Sequence, residues 1–193
     1  MEKILHIIGG ANGSGKSTLA EAIIHETGLP FLNPDLIAKE IAPDAIDTVK
    51  MQTGKEYQRR LKEYFAEQKS FVIESTLAGH NIAKIIQDAH QLGYHVEISY
   101  IFLAHSNDCI SRVKCRVQNG GHNVPIEDIA RRYYRSIENF WDFYKDQVER
   151  WNVFFNGFTY QPILVATQNQ TFSPPLLERL MNILRIWRER SYE

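Results

Sequence analysis

Gly10-Ala11-Asn12-Gly13-Ser14-Gly15-Lys16-Ser17 matches in full the pattern of a glycine, four residues, then Gly-Lys-Ser/Thr. Its surroundings give the match its weight. Ile4, Leu5, Ile7 and Ile8 form a short apolar run before it, and residues 17–24, from Ser17 to Ile24, read as a helix after it. In a strand, loop and helix of this kind, glycines let the loop turn tightly so that successive backbone N–H groups point inward at phosphate oxygens. The helix N-terminus adds partial positive charge. Lys16 is then placed to reach the β and γ phosphates, and the Ser17 hydroxyl to bind Mg²⁺. A chance match in a chain of this length has a probability on the order of one per cent. The reading is a nucleoside triphosphate site, and the competing one is a flexible Gly/Ser turn.

At 193 residues and 44% hydrophobic content, the chain can bury a sizeable core but is too short for two full-sized domains, so residues 1–193 are read as one. With 22 basic and 23 acidic residues the net charge is −1, which leaves no electrostatic footprint for non-specific nucleic acid or membrane binding. No stretch approaches the roughly 18 apolar residues of a membrane span, and the N-terminal run passes straight into the loop. The expectation is a soluble, cytoplasmic protein. Cys109 and Cys115 lie six apart in a helical pattern and so face different ways, which reads as packing residues in a reducing compartment.

Further apolar runs alternate with helical patterns: 31–33, 70–74, 95–103 and 162–166 read as strands. Tyr57, Leu61, Tyr64 and Phe65 recur at helical spacing. So do Ile82, Ile85, Ile86 and Ala89, with Gly93 as a helix stop, and Ser173-Pro174 opens a last helix. Such alternation implies an α/β fold with a parallel sheet covered on both faces and ligands at the carboxyl ends of its strands. The aromatic segment 151–160 carries the turn signal Asn156-Gly157 and reads as a hairpin or irregular loop.

Two carboxylates follow strand runs. Asp35, in Asn33-Pro34-Asp35, is placed to take a proton from an attacking hydroxyl, or else sits in the first turn of a helix that Asn33 caps. Glu74, directly after Phe71-Val72-Ile73, is placed to orient substrate or to share the Mg²⁺. Arginines cluster beyond: Arg112 and Arg116 share one helix face, and Arg131, Arg132 and Arg135 follow Val124-Pro125. The second helix carries the apolar stripe Ile126, Ile129, Tyr133, Ile137, Phe140, Tyr144 and Val148. The i, i+4 pairs Asp128–Arg132 and Glu127–Arg131 offer a plain salt-bridged face. The functional alternative is a helical lid over about 106–136, hinged at Asn119-Gly120-Gly121-His122, that closes on ATP. His80 and His122 are read as loop contacts outside the site.

Together, residues 10–18 (Gly10 to Thr18), Asn33-Pro34-Asp35, Glu74-Ser75-Thr76-Leu77-Ala78-Gly79 and Gly120-Gly121-His122-Asn123-Val124-Pro125 with Arg131-Arg132-Tyr133 resemble the zeta toxin family, in particular short members described only as predicted ATPases. The likeness runs over about residues 4–166. It implies a P-loop kinase fold, a three-layer sandwich with a mostly parallel central sheet and a helical lid, and ATP-dependent phosphorylation of a small-molecule hydroxyl. In the best-known members that molecule is UDP-N-acetylglucosamine, and an antitoxin protein is the implied partner. Carried over by residue, Gly10, Ala11, Asn12, Gly13, Ser14, Gly15, Lys16, Ser17 and Thr18 hold ATP. Lys16 and Ser17 match the phosphate and Mg²⁺ ligands, Asp35 matches the base, and Glu74 and Thr76 match a substrate- and metal-facing pair. Arg116 and one of Arg131 or Arg132 correspond to the lid arginines. Phe155-Asn156-Gly157 departs from the Asp-Asn-Ser of close relatives. Two other readings stand beside this one: an ATP-binding switch or ATPase acting through a protein partner, and a nucleoside or small-metabolite kinase.

Overall fold

The apolar run that leads into the phosphate loop is strand β1 (Lys3–Gly9), and it lies in the middle of the sheet. The computed structural model describes residues 2–43, 45, 48–121, 123–157 and 161–191. Six strands, β1, β2 (Phe31–Leu32), β3 (Phe71–Ser75), β4 (Tyr94–Phe102), β5 (Arg150–Phe155) and β6 (Ile163–Thr167), lie in the order β2-β3-β1-β4-β5-β6. Every neighbouring pair is parallel except β5 and β6. From β1 the chain goes out to β2 on one side and later crosses back to β4 on the other, so the carboxyl edge of β1 is the topological switch point at which open α/β sheets bind ligands.

Alternation along each strand divides the core into two layers. Ile8, Val72 and Ile101 pack under helix α1 (Lys16–Thr27), whose Leu19 and Ala20 are buried against them. Leu5, Ile7, Ile73, Val96 and Ile98 face the opposite layer with side chains from α3 (Lys50–Ala66), α4 (Asn81–Gln91), α6 (Ile126–Asn139) and α7 (Pro174–Ser191). Both faces of the sheet are covered, which is why its central strands read as nearly continuous apolar runs. α2 (Pro34–Ile41) and α5 (Ser106–Gln118) complete the set, each starting just past the carboxyl end of a strand.

Hydroxyls of the stripe helix fasten it to the carboxyl edge of the sheet. Tyr133 donates to the Leu103 carbonyl at 2.8 Å, Tyr144 to the Gly79 carbonyl at 2.5 Å, and Tyr100 shares a buried bond with Ser136 at 3.0 Å. The stripe itself departs from the sequence expectation at its ends. Ile126 is exposed, and Phe140–Tyr144 is wound as a π-helix that continues α6. The segment read as a hairpin or irregular loop is a strand for its first half: β5 runs parallel to β4 through Phe155, and β6, from Ile163, is antiparallel to it. Residues 158–160, the end of that reading, and His122 lie outside the described residues. His80 packs its ring on Phe143. Both cysteines are free thiols, but only the buried Cys109 is the packing residue expected, since Cys115 is exposed.

Candidate active site

The phosphate loop joins β1 to α1 through left-handed backbone that only glycine takes without strain. Gly13 has φ +81° and Gly15 φ +103°. A Cβ at Gly13 would strike the Cys109 carbonyl of α5, and one at Gly15 the Asn156 side-chain amide, so the loop is also too tightly packed for anything larger. The Gly10 N–H donates to the Ser75 carbonyl at 3.2 Å and seats the loop beside the end of β3. Lys16, the first residue of α1, is buried, and its Nζ donates to the Ala11 carbonyl across the loop at 3.0 Å. Burial lowers the pKa of this ammonium from the ordinary lysine value, and the Glu74 carboxylate opposes that pull.

Glu74 reaches the loop because β1 and β3 are paired in register: Ile8 lies opposite Glu74 and Gly9 opposite Ser75. The Ser17 hydroxyl donates to Glu74 Oε2 at 3.5 Å. Beyond β3 the chain turns sharply at Leu77, whose φ of +53° is costly for a side chain of that size. The turn is held by the buried Leu77 side chain, by Ser75 Oγ accepting from the Leu77 N–H at 3.1 Å, and by Asn139 Nδ2 donating to the Leu77 carbonyl at 2.8 Å. At the end of β2, Asn33 Oδ1 accepts from the N–H groups of Asp35 at 2.7 Å and Leu36 at 3.2 Å. Asn33 is thus the cap of α2 and Pro34 its first residue, so the Asp35 carboxylate is not needed for capping.

Two cavities open at this edge. One, of about 700 Å³, is walled by Asn12, Gly13 and residues 15–18 of the loop, by Arg112 and Arg116 of α5, and by Arg132 of α6. The other, of about 540 Å³, lies between α2, α3 and α4, with Thr53, Tyr57, Leu61, Ile82 and Asn81 in its wall. Both are lined by Asp35 and Glu74, which therefore stand where the two spaces meet. The hydroxyl of Thr53 is buried without a hydrogen-bond partner, and burial pushes the Tyr57 phenol up to about 12.

Lys16, Ser17, Asp35, Glu74, Arg116 and Arg132 are all brought to the first cavity. Arg132 Nη1 also donates to Asn12 Oδ1 at 3.4 Å. Arg131 is not brought there: its guanidinium is 56% exposed and engages Asp128 at 2.6 Å, so its ion pair is with Asp128 and not with the expected Glu127. Thr76 lines neither cavity and accepts from the Ala78 N–H at 3.4 Å, while its neighbour Ser75 lines the second. Sequence reading took Asn156 only as part of a turn signal and not as a site residue. It directly follows β5, is 2% exposed, and its Nδ2 donates to the Ser14 carbonyl at 2.9 Å. The signal was Val153-Phe154-Phe155, a strand-like run that delivers Asn156 to the carboxyl edge.

The donor chemistry fits magnesium. The Ser17 hydroxyl and the Glu74 and Asp35 carboxylates are hard oxygen donors on one cavity. Among the described residues no group of three or more His, Cys, Asp or Glu converges as a metal cage. Magnesium takes one or two carboxylates with substrate phosphates and several waters, and needs no such cage.

Known structures share this fold. Over 93% of this chain and 63% of the other, the backbone matches an AvrRxo1-ORF1:AvrRxo1-ORF2 structure with sulphate ions at TM-score 0.74 and 16% identity, so the chain spans less than two thirds of that protein. A further structure of the same pair, with ATP, matches at TM-score 0.73. The PezAT chromosomal toxin-antitoxin system of Streptococcus pneumoniae matches at TM-score 0.69 and 16% identity, over 99% of this chain and 86% of that one. An uncharacterized protein of Haemophilus influenzae is 30% identical over 125 residues, 65% of this chain and 88% of that protein. The structural likenesses carry the fold, and the model of the Zeta toxin family matches residues 1–157, from the first strand through the end of β5: the chain belongs to the zeta toxin family.

Proposed function

We propose that this protein is an ATP-dependent kinase that phosphorylates a hydroxyl of a small molecule. The observation that carries the reading is the meeting of the two cavities at Asp35 and Glu74, with Lys16 and Ser17 on one side and a partly apolar, hydroxyl-lined space on the other. ATP occupies the cavity of the phosphate loop, its phosphates against the loop N–H groups and Lys16, and the acceptor fills the space between α2, α3 and α4. Ser17 and Glu74 would hold Mg²⁺, which when bound neutralises charge on the phosphates. Asp35 takes the proton of the acceptor hydroxyl. The freed oxygen attacks the γ phosphorus, the bond from that phosphorus to the bridging oxygen breaks, and ADP leaves. Arg116 and Arg132, on the helices that wall the cavity, stabilise the transferring group, and α5 with α6 acts as the lid.

Family membership and the AvrRxo1 structure with ATP support the nucleotide, and the PezAT likeness supports an antitoxin-type protein partner. UDP-N-acetylglucosamine is the first acceptor to test. Among the described residues no helix is long and apolar enough to cross a membrane, and we place the reaction in the cytoplasm, where ATP is supplied. The test is incubation of the purified chain with γ-labelled ATP and UDP-N-acetylglucosamine, nucleosides and sugars in turn. Label in an acceptor is the expected result. Label only in inorganic phosphate, whatever is added, favours the ATPase or switch.

A further inference from the structure

Asn156 makes more bonds than a residue at a strand end needs. Its N–H donates to the Phe102 carbonyl at 3.0 Å, extending the β4–β5 ladder by one step. Its carbonyl accepts from Arg112 Nη2 of α5 at 2.7 Å. Its side-chain Nδ2 donates to the Ser14 carbonyl at 2.9 Å and fills the place that a Cβ on Gly15 would take. One residue therefore ties the phosphate loop to the sheet and to the helix that walls the nucleotide cavity.

The remaining atom tells what the residue is for. Asn156 Oδ1 is buried and has no hydrogen-bond partner. Turning the amide over would set this oxygen against the Ser14 carbonyl oxygen, so the orientation is fixed by the bond that Nδ2 makes. An aliphatic side chain would fill the same buried space with no orphaned acceptor, and a residue kept for packing alone would be of that kind. A loop that cradles phosphates needs its N–H groups converging on the ligand and its carbonyls turned away. The Ser14 carbonyl, in the middle of this loop, is the one Asn156 holds outward.

We propose that Asn156 is a positioning residue for phosphate binding, and that Arg112 acts through it to keep the loop and helix α5 in a common arrangement. The proposal rests on the nucleotide reading of the site, and ADP binding tests the two separately, since no acceptor is involved. Titration calorimetry of ADP into the full chain should show Asn156→Ala binding on the order of tenfold more weakly, because the Ser14 carbonyl loses its partner. Asn156→Asp, which keeps the volume but sets an acceptor against that carbonyl, should bind more weakly still. The melting temperature without ADP should fall by only about 2–4 °C for Asn156→Ala, the cost of one buried hydrogen bond, while a role in packing alone would leave ADP affinity unchanged. Arg112→Lys should weaken ADP binding alone and add nothing on top of Asn156→Ala. ADP affinity within about twofold of the wild type in both Asn156 variants, or additive effects in the double variant, would overturn the brace. Should Asn156→Ala not fold, Asn156→Asp carries the same expectation. A wild-type chain that binds no ADP overturns the nucleotide reading and the brace with it.

Discussion

Asn33 and Asp35 divide two jobs that stand side by side in the chain. Because Asn33 accepts both N–H groups of the first turn, the Asp35 carboxylate lines both cavities with no capping duty. From the residues alone the two roles of Asp35 were indistinguishable, since an acid in the first turn of a helix is favoured whether or not it faces a substrate. Asp35→Asn should lower the rate of phosphate transfer by about two to four orders of magnitude while leaving ATP affinity nearly unchanged. Equal losses in both, by single-turnover kinetics and calorimetry, would make Asp35 a ligand of the nucleotide or its metal. Arg131 and Arg132 were equally inseparable, as neighbours that both sit within reach of Asp128. The fold turns only Arg132 into the nucleotide cavity. Arg132→Ala should therefore cost about a hundredfold in kcat, and Arg131→Ala less than about twofold. Lys16 and Ser17, by contrast, were legible at once, because an eight-residue loop fixes backbone and side chains together.

Helix α2 is capped by Asn33, and the first turn so held carries Asp35. Asn33→Ala should cost about 1 kcal/mol of stability by urea unfolding and, by loosening the first turn that carries Asp35, lower kcat more than the KM for ATP. A variant with that stability loss and an unchanged kcat would show that the first turn is held by other contacts. Strand β1 carries a pH response of its own. His6 is part-buried, with Nε2 at 2.9 Å from Ser99 Oγ, and desolvation lowers its pKa from 6.5 to about 4. The neutral ring is the form that folds, so its contribution is whole above the unfolded pKa of 6.5 and is lost as pH falls towards 4, amounting to about 3 kcal/mol. Urea midpoints between pH 7 and 4.5 should fall with that slope, and less steeply in His6→Gln. The same slope in both would place the response elsewhere. Strands β1, β3 and β4 were readable as continuous apolar runs because both faces of the sheet are covered. β5 was not, since Arg150 and Asn152 interrupt it near the edge and a turn signal follows directly.

The whole molecule places two cavities, one at the phosphate loop and one between α2, α3 and α4, on either side of two carboxylates. The first was legible because residues 10–17 are contiguous. The second was not, because its wall is assembled from α2, α3, β3 and α4, and no spacing within one segment encodes it. Residues such as Thr53, Tyr57 and Asn81 become a pocket only when the sheet order brings β2 and β3 beside β1. The central claim is that a phosphate crosses from one cavity to the other at Asp35. The most direct measurement is incubation of the protein with γ-labelled ATP and a bacterial metabolite extract, resolved by chromatography with mass spectrometry. A labelled phosphoester that appears with the wild type and vanishes with Asp35→Asn is the predicted result. Label found only in inorganic phosphate, at the same rate with and without extract, would contradict it.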